Sequence, residues 1–243
     1  MNAATDSTGA NVSGPVSAGS LVSIYGSQLA AGIALAQSVP HSTQLGQTSV
    51  TFNGIPAALD FVAGTQINAQ IPWNALPAGV SGTVNVVVTR NGVNSAPEPV
   101  VINQFGPAVY STSGHALAFI VSDPNDSARF YAYAAPNTAG LRTSPAKVDD
   151  ILLVYATGMG AIASSIPNGS SPDAILTNTK ATVLFNGIVP GTVLYSGIAP
   201  GFPGVYQINV RVPAGLPASN AMKLQIQMGG VTSPANGGTI ATQ

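Results

Sequence analysis

Few side chains in this chain could take part in acid–base or nucleophilic chemistry. The two histidines, His41 and His115, lie outside every block of sequence that recurs in the chain. A Ser-His-Asp arrangement would need one of them as general base, but no Gly-x-Ser-x-Gly elbow presents a nucleophile. We therefore expect both to be loop or surface histidines, and we expect no catalytic residue.

The eight carboxylates cluster at only two places, Asp123–Asp126 and Asp149–Asp150. In the first cluster, Asp123, Asn125 and Asp126 offer side-chain oxygens, which are the ligands that calcium takes. The stretch lacks the D-x-D-x-D-G spacing and the bidentate glutamate of a calcium loop, so an Asx turn is favoured over calcium. No cluster of His or Cys indicates a transition metal, and no cofactor is expected.

Two aromatic residues are candidate surface contacts. Trp73, the single tryptophan, follows Pro72 at the end of a recurring strand, where the second copy has Ala214. Its ring either stacks on a sugar or fills an interface between two domains, and the interface is favoured because sugar sites show several coplanar rings. Phe202 lies in the loop 199–204, which is either a contact loop or a rigid turn whose ring caps the core, and the turn is favoured.

The composition excludes several classes of function. Charged residues make up only 6% of the chain, against about 25% in an average soluble domain. The seven basic residues are scattered singly, so no basic stripe indicates nucleic-acid binding. No apolar run approaches the ~20 residues of a transmembrane helix. The absence of cysteine removes disulfides, thiolate metal ligands and thiol nucleophiles.

The low charge and the abundance of Thr, Asn, Gly and Ser resemble the composition of exported bacterial surface proteins. We therefore expect the protein to be extracellular or on the cell surface.

Residues 1–14 are small and polar, which predicts a flexible leader. Because this leader has neither a basic nor an apolar region, we expect that the chain carries no signal peptide.

Four blocks of sequence occur twice in the same order, and their separations differ only by loop-sized insertions. The pairs are Leu21–Leu29 with Ile151–Met159, Val50–Ile55 with Val183–Ile188, Gln66–Pro72 with Gln207–Pro213, and Val86–Ser95 with Leu224–Ser233. This pattern predicts an internal duplication. The expected domains are residues 15–104 and residues 105–243, the second with additional strands.

Both copies consist of short apolar or alternating runs that Gly, Pro or Asn-Gly interrupts every few residues. Three Asn-Gly pairs, at Asn53, Asn91 and Asn186, predict type I′ hairpin turns. The pattern is typical of an all-β fold of two tandem immunoglobulin-like β-sandwich domains. The predicted strands are Ser20–Tyr25, Ser49–Phe52, Ala57–Val62, Ile67–Ile71, Thr83–Thr89, Ala108–Tyr110, Ala116–Ser122, Arg129–Ala134, Asp150–Ala156, Ala181–Phe185, Thr192–Tyr195, Tyr206–Val212 and Met222–Met228.

A Gln-Ile-Asn sequence recurs at Gln66–Asn68 and Gln207–Asn209. A chain rarely needs the same substrate site twice, whereas each of two copies of a domain needs the same structural residues. A structural role is therefore favoured. We expect each Asn side chain to bond the backbone of a neighbouring loop.

The recurring blocks resemble the C-terminal domain family of acidobacterial (Solibacter-type) secreted proteins, which is itself similar to Ig-like IPT/TIG modules. The resemblance is carried by Gly19–Ala30, Thr48–Leu59, Gln66–Trp73, Asn91–Pro97, Val154–Gly160 and Tyr195–Ala218. It implies tandem β-sandwich modules attached to exported proteins. The family has no assigned catalytic residues, so the resemblance implies none in this chain.

Together these features predict a noncatalytic exported structural or adhesion module, not an enzyme. Lysines on edge strands normally prevent one sheet edge from pairing with another, and this chain has few of them. We therefore expect edges to be covered by another domain, by the tail or by a neighbouring chain. Self-association or contact with other extracellular proteins would follow, on the cell surface or in the extracellular matrix. The alternative is a carbohydrate-binding accessory module of a secreted protein, in which Trp73, Phe202 or exposed tyrosines stack on a polysaccharide.

Overall fold

The computed structural model describes residues 14–243, and these residues form β-strands and turns without an α-helix. The all-β fold expected from the sequence is therefore confirmed. Residues 1–13 of the expected leader lie outside the described residues. Within the described part of the chain there is no helix with the length and apolar character to span a membrane.

Residues 14–104 form the first sandwich, whose buried side chains make one hydrophobic core from Val16 to Ile102. Its strands are β1 (Leu21–Tyr25), β2 (Ala34–Leu35), β3 (Gln44–Leu45), β4 (Thr48–Phe52), β5 (Ile55–Pro56), β6 (Ala58–Val62), β7 (Gln66–Gln70), β8 (Gly82–Arg90), β9 (Val93–Asn94) and β10 (Glu98–Ile102). One sheet has the order β1-β7-β6-β2 and the other β10-β8-β4-β3, with β5 on β4 and β9 on β8. Alternate residues of β4 and β8 are buried, as expected for sheets that pack face to face.

Residues 105–243 form the second sandwich around a separate core, which extends from Phe105 to Ile240. Its strands are β11 (Ala108–Val109), β12 (Ser111–Thr112), β13 (His115–Ala116), β14 (Ala118–Ile120), β15 (Ile151–Thr157), β16 (Thr182–Phe185), β17 (Val189–Ile198), β18 (Tyr206–Arg211), β19 (Ser219–Met228), β20 (Val231–Thr232) and β21 (Thr239–Thr242). The start of β17 pairs with β16 and the rest pairs with β18, so one strand joins the two layers into a continuous sheet.

The recurring sequence blocks fall on strands with the same neighbours in the two sandwiches. Strand β7 lies between β1 and β6, and β18 lies between β15 and β17. Strand β4 pairs with β8 as β16 pairs with β19. Even the register shift recurs, between Leu59 and Phe61 in one sandwich and between Val193 and Tyr195 in the other. The three expected Asn-Gly turns are also present, with positive φ at both residues.

Three details of the sequence-based prediction are wrong. The segment predicted as a strand at Arg129–Ala134 begins with turns, because the backbone carbonyl of Asp126 accepts from the N–H groups of Arg129 and Phe130, and only Tyr133 forms β-bridges, to Phe119 and Thr143. Strands β10 and β21 were not expected, although Pro99 in β10 is compatible with a strand at the edge of a sheet. The Asn of each Gln-Ile-Asn sequence bonds no loop backbone.

These Asn side chains instead accept a hydrogen bond from the Gln two residues earlier on the same strand. Gln66 Nε2 donates to Asn68 Oδ1 over 2.8 Å, and Gln207 Nε2 donates to Asn209 Oδ1 over 2.9 Å. Side chains two residues apart on a strand lie on the same face of the sheet. Each pair is therefore an amide ladder on an outer sheet face, and it recurs because the strand recurs.

A buried ion pair links two parts of the long segment between β14 and β15, and one partner, Asp150, directly precedes β15. Arg129 donates to both carboxylate oxygens of Asp150, to Ser144 Oγ and to the backbone carbonyl of Pro145. Burial alone would raise the pKa of Asp150. The hydrogen bonds from Arg129, from a backbone N–H and from a serine hydroxyl outweigh burial and hold that pKa below its usual value.

The change Asp150→Asn is expected to reduce the free energy of unfolding by about 3 kcal/mol near neutral pH, because it leaves Arg129 buried without a counter-charge. The ionised form of Asp150 stabilises the folded chain above its unfolded pKa of about 3.9, and this contribution is lost as the pH falls through the lower folded pKa. Urea unfolding of both proteins should therefore show a difference that is full near neutrality and shrinks in acid.

The matched control is Asp149→Asn, since the side chain of Asp149 is 75% exposed and lies 3.9 Å from Arg211. An exposed pair of this kind contributes about 0–1 kcal/mol. Equal losses for the two variants, or a loss for Asp150→Asn that does not change with pH, would contradict the role assigned to this ion pair.

Candidate functional site

The two sandwiches meet at a short loop of the second one, residues 167–170. Asn168 Oδ1 accepts from the backbone N–H of Trp73 over 2.9 Å. The N–H of Gly169 donates to Gln70 Oε1 over 2.7 Å, and its carbonyl accepts from the N–H of His41 over 2.9 Å. Gly169 has φ of 79°, and a Cβ there would lie 2.6 Å from the carbonyl oxygen of His41. The junction therefore requires glycine at this position.

Trp73 belongs to the first sandwich, but its ring packs against the core of the second. The ring meets Tyr206 edge to face at a centroid distance of 6.3 Å, and the Tyr206 hydroxyl donates to the carbonyl of Gly160 over 2.7 Å. A Cβ on Gly19 would overlap the six-membered ring of Trp73. Of the two interpretations of Trp73, this geometry favours the interface between domains over a platform for sugars.

Trp73 also lines a cleft of about 540 Å³ between the sandwiches. Its walls are mainly apolar, with Leu76 and Val80 on one side and Ile162 and Ile166 on the other, and no charged side chain lines it. The cleft brings together none of the candidate catalytic residues.

A group of exposed and half-buried rings lies instead on an outer face of the second sandwich. We call Tyr133, Phe119, Tyr155, Phe202 and Tyr131 the aromatic surface. The ring centroids of the first four are separated in that order by 4.5, 6.0 and 5.8 Å. Tyr131 lies beside this row, because its N–H donates to the carbonyl of Ile120, the residue after Phe119, and its ring contacts Phe130. The side chains of Tyr131 and Phe202 are 51% and 54% exposed.

Strand pairing places the rings and one amide ladder on the same face. Phe119 lies opposite Leu153 on β15, which lies opposite Asn209 on β18. Tyr155, two residues after Leu153, lies opposite Gln207. Residues paired across antiparallel strands point to the same side of a sheet, and the intervening residues of β14, β15 and β18 fill the core. The outer face therefore presents rings beside amides.

The rings of the aromatic surface are inclined to one another, with interplanar angles of 44°, 73° and 61° along the row. They do not form one flat platform. Phe202 packs on Tyr155 on the outer face and belongs to neither core, so its ring does not cap the core. It is an exposed contact residue at one end of the row.

The aromatic surface is electrically neutral. Burial, and to a smaller extent the neighbouring Tyr131, raises the pKa of the Tyr155 hydroxyl, so this phenol stays protonated at physiological pH. Two arginines close to these segments bond backbone carbonyls. Arg142 donates to the backbone carbonyls of Ser127 and Phe130, and Arg211 donates to the carbonyl of Asp149.

The carboxylates and histidines considered as catalytic or metal-binding residues do not come together in one site, and several of them make local turn bonds. Asp123 Oδ1 accepts from the N–H of Asn125 over 2.8 Å, and Asp126 Oδ1 from the N–H of Arg129 over 3.3 Å. These are turn bonds of the kind expected for the Asx alternative. Burial lowers the pKa of His41, and this effect outweighs the negative charge of Asp60, which would raise it. Among residues 14–243, no group of three His, Asp or Glu side chains could hold a metal ion.

The geometry of the first sandwich agrees with a family comparison. Residues 8–102 match the family model of the IPT/TIG domain. IPT/TIG domains are noncatalytic Ig-like modules that take part in adhesion or other interactions. The match ends where β10 ends, and the second sandwich repeats the strand pairings of this module. No curated protein matches the chain.

Sequence reasoning named Phe202 but missed the other members of the aromatic surface as a group. A signal was present, because four of the chain's 14 phenylalanines and tyrosines fall between Phe119 and Tyr133. The sequence pattern did not indicate that β14 pairs with β15, and this pairing brings the segment beside Tyr155.

Two glycines with the same φ of 81°, Gly19 and Gly201, allow a test of the junction. Nothing lies within 4 Å of a Cβ built on Gly201, so Gly201→Ala should lower the free energy of unfolding only by about 1 kcal/mol, from backbone strain. Gly19→Ala should lower it by roughly 2 kcal/mol more, because the methyl group displaces the ring of Trp73. Denaturant unfolding measures both values.

Trp73 is the only tryptophan, so its fluorescence reports the displacement directly. We expect the emission spectrum of folded Gly19→Ala to shift and that of folded Gly201→Ala to match the wild type. Identical spectra and equal stabilities for the two variants would show that Trp73 is not held against Gly19.

Proposed function

We propose that the chain is a noncatalytic interaction module of an exported protein, with a structural or adhesive role. Its two domains, residues 15–104 and 105–243, arose by internal duplication of an IPT/TIG-like sandwich, and they belong to the acidobacterial secreted-protein C-terminal family. The recurring blocks and the recurring strand pairings support the duplication. The low charge and the IPT/TIG match support an extracellular or cell-surface location.

One observation carries the proposal, namely the aromatic surface on a sandwich that is fixed to its neighbour. Clusters of exposed apolar side chains bordered by polar groups mark sites of interaction. The histidines and carboxylates support no catalytic role, because Asp150 and Asp126 serve the fold and, among residues 14–243, neither histidine side chain bonds a serine or threonine hydroxyl. We therefore assign the aromatic surface, and not Trp73, as the contact surface.

Self-association is one form that this role takes, together with binding to other extracellular material. Two sheet edges are already covered within the chain. The N–H of Leu21 on β1 donates to the carbonyl of Gly204, and Val16 pairs with Ile102 beside β10. The aromatic surface is a sheet face and remains open in the described chain, which favours it over those edges as the place of contact.

Nitration of tyrosines tests this proposal without knowledge of the partner. The cell-surface and matrix fractions of the producing organism are treated with tetranitromethane beside the isolated chain, and nitrated peptides are quantified by mass spectrometry. Tyr131 should be protected in the native fractions and modified in the isolated chain. Tyr25, which is 38% exposed on the first sandwich, is the matched control and should be modified equally in both.

Equal nitration of Tyr131 in native and isolated material would contradict the assignment of the contact surface. Recovery of the chain only from the cytoplasm would contradict export.

A further inference from the structure

We propose that the aromatic surface and the adjacent Gln207–Asn209 ladder bind an uncharged polysaccharide chain. This inference rests on the proposed function, since it names the partner of the same surface. It is built from the order of the rings, the free atoms of the amides and the balance of charge beside the ladder.

The rings form a row and not a compact cluster. Tyr133 contacts Phe119, Phe119 contacts Tyr155, and Tyr155 contacts Phe202, while the described residues show no ring contact between Tyr133 and Tyr155 or between Phe119 and Phe202. A row of rings suits an extended polymer that runs along it. Inclined rings can each meet a different sugar unit, because successive units of a polysaccharide need not lie in one plane.

The amide ladder supplies the polar half of the site. The bond from Gln207 Nε2 to Asn209 Oδ1 uses one atom of each amide, and it leaves Gln207 Oε1 as an acceptor and Asn209 Nδ2 as a donor. A sugar hydroxyl both donates and accepts, so it can use these two atoms together. The C–H faces of the same sugar pack on aromatic rings, which carry a negative face.

The charges near the surface argue for an uncharged occupant. Arg142 is bonded to backbone carbonyls at the edge of the aromatic surface, and Arg211 is bonded to the backbone of Asp149. Arg211 follows Asn209 by two residues on the same face, and its exposed guanidinium lies 3.9 Å from the exposed carboxylate of Asp149. These two charges balance each other, so the edge beside the ladder offers no net charge to an acidic or a basic polymer. Aromatic and amide groups alone can bind a neutral chain through stacking and hydrogen bonds.

The first sandwich provides an internal comparison. It has the same ladder, Gln66–Asn68, and a tyrosine at the position equivalent to Tyr155, namely Tyr25. No ring contact joins Tyr25 to another aromatic residue of the described chain, and Gln70 on the neighbouring strand is covered by the junction and only 1% exposed. The ladder thus belongs to the fold, and the row of rings is the addition that is specific to the second sandwich.

Affinity electrophoresis in native gels tests the inference with the whole chain. The gels contain, one at a time, hydroxyethyl cellulose, mixed-linkage β-glucan, xyloglucan, galactomannan, arabinoxylan and glycogen, with alginate as an acidic comparison. The wild type should be retarded by at least one neutral polymer, and added salt should not abolish the retardation because no ion pair forms. Phe202→Ala and Gln207→Leu should each weaken binding about three- to tenfold, the range expected for one ring or one amide contact.

The matched controls are Tyr25→Ala and Gln66→Leu, which make the same changes on the first sandwich and should bind as the wild type does. Thermal unfolding of every variant confirms that it is folded before its mobility is compared. Two results would overturn the inference: no retardation of the wild type by any neutral polymer, or equal effects of the changes on the two sandwiches. If either occurs while Tyr131 is still protected in native fractions, the contact surface stands and its partner is not a polysaccharide.

Discussion

The arrangement of the two sandwiches depends on hydrogen bonds between them, above all those that the loop at residues 167–170 makes with the first sandwich, together with the bonds of Leu21 to Gly204 and of Gly160 to Ser17. Gln70 shows why these bonds fix the orientation, since its side chain is almost fully buried and accepts from the N–H of Gly169. Rotation of one sandwich against the other would leave the buried Oε1 of Gln70 without its partner, which costs about 1–3 kcal/mol. It would also separate Trp73 from Tyr206. We therefore expect the two modules to keep a fixed relative orientation.

A fixed orientation gives the aromatic surface a defined place relative to the first sandwich. The polar groups that could have been catalytic serve the fold, as the bonds of Arg129 to Asp150 and of Asn125 to Asp123 illustrate. What remains open is a sheet face with rings and amides. A module of this kind acts by contact, and the orientation of that contact is set by the junction.

The sequence predicted those features that depend on local pattern. Alternation and recurring blocks located most strands, and Asn-Gly pairs located three hairpin turns with positive φ. Prediction failed at Arg129–Ala134, because the alternation of aromatic and small residues there is that of a strand, whereas short-range bonds to Asp126 close turns. It also missed the aromatic surface, because Phe119, Tyr155 and Phe202 are distant in sequence and meet only through strand pairing and a loop.

Residual dipolar couplings of backbone amides in a weakly aligned sample test most directly whether the junction fixes the two sandwiches, because they report the orientation of every N–H bond in a common frame. A single alignment tensor should fit the amides of both sandwiches, with their relative orientation as in the structure. Two tensors of clearly different magnitude would show that the sandwiches reorient independently, which would contradict a rigid junction.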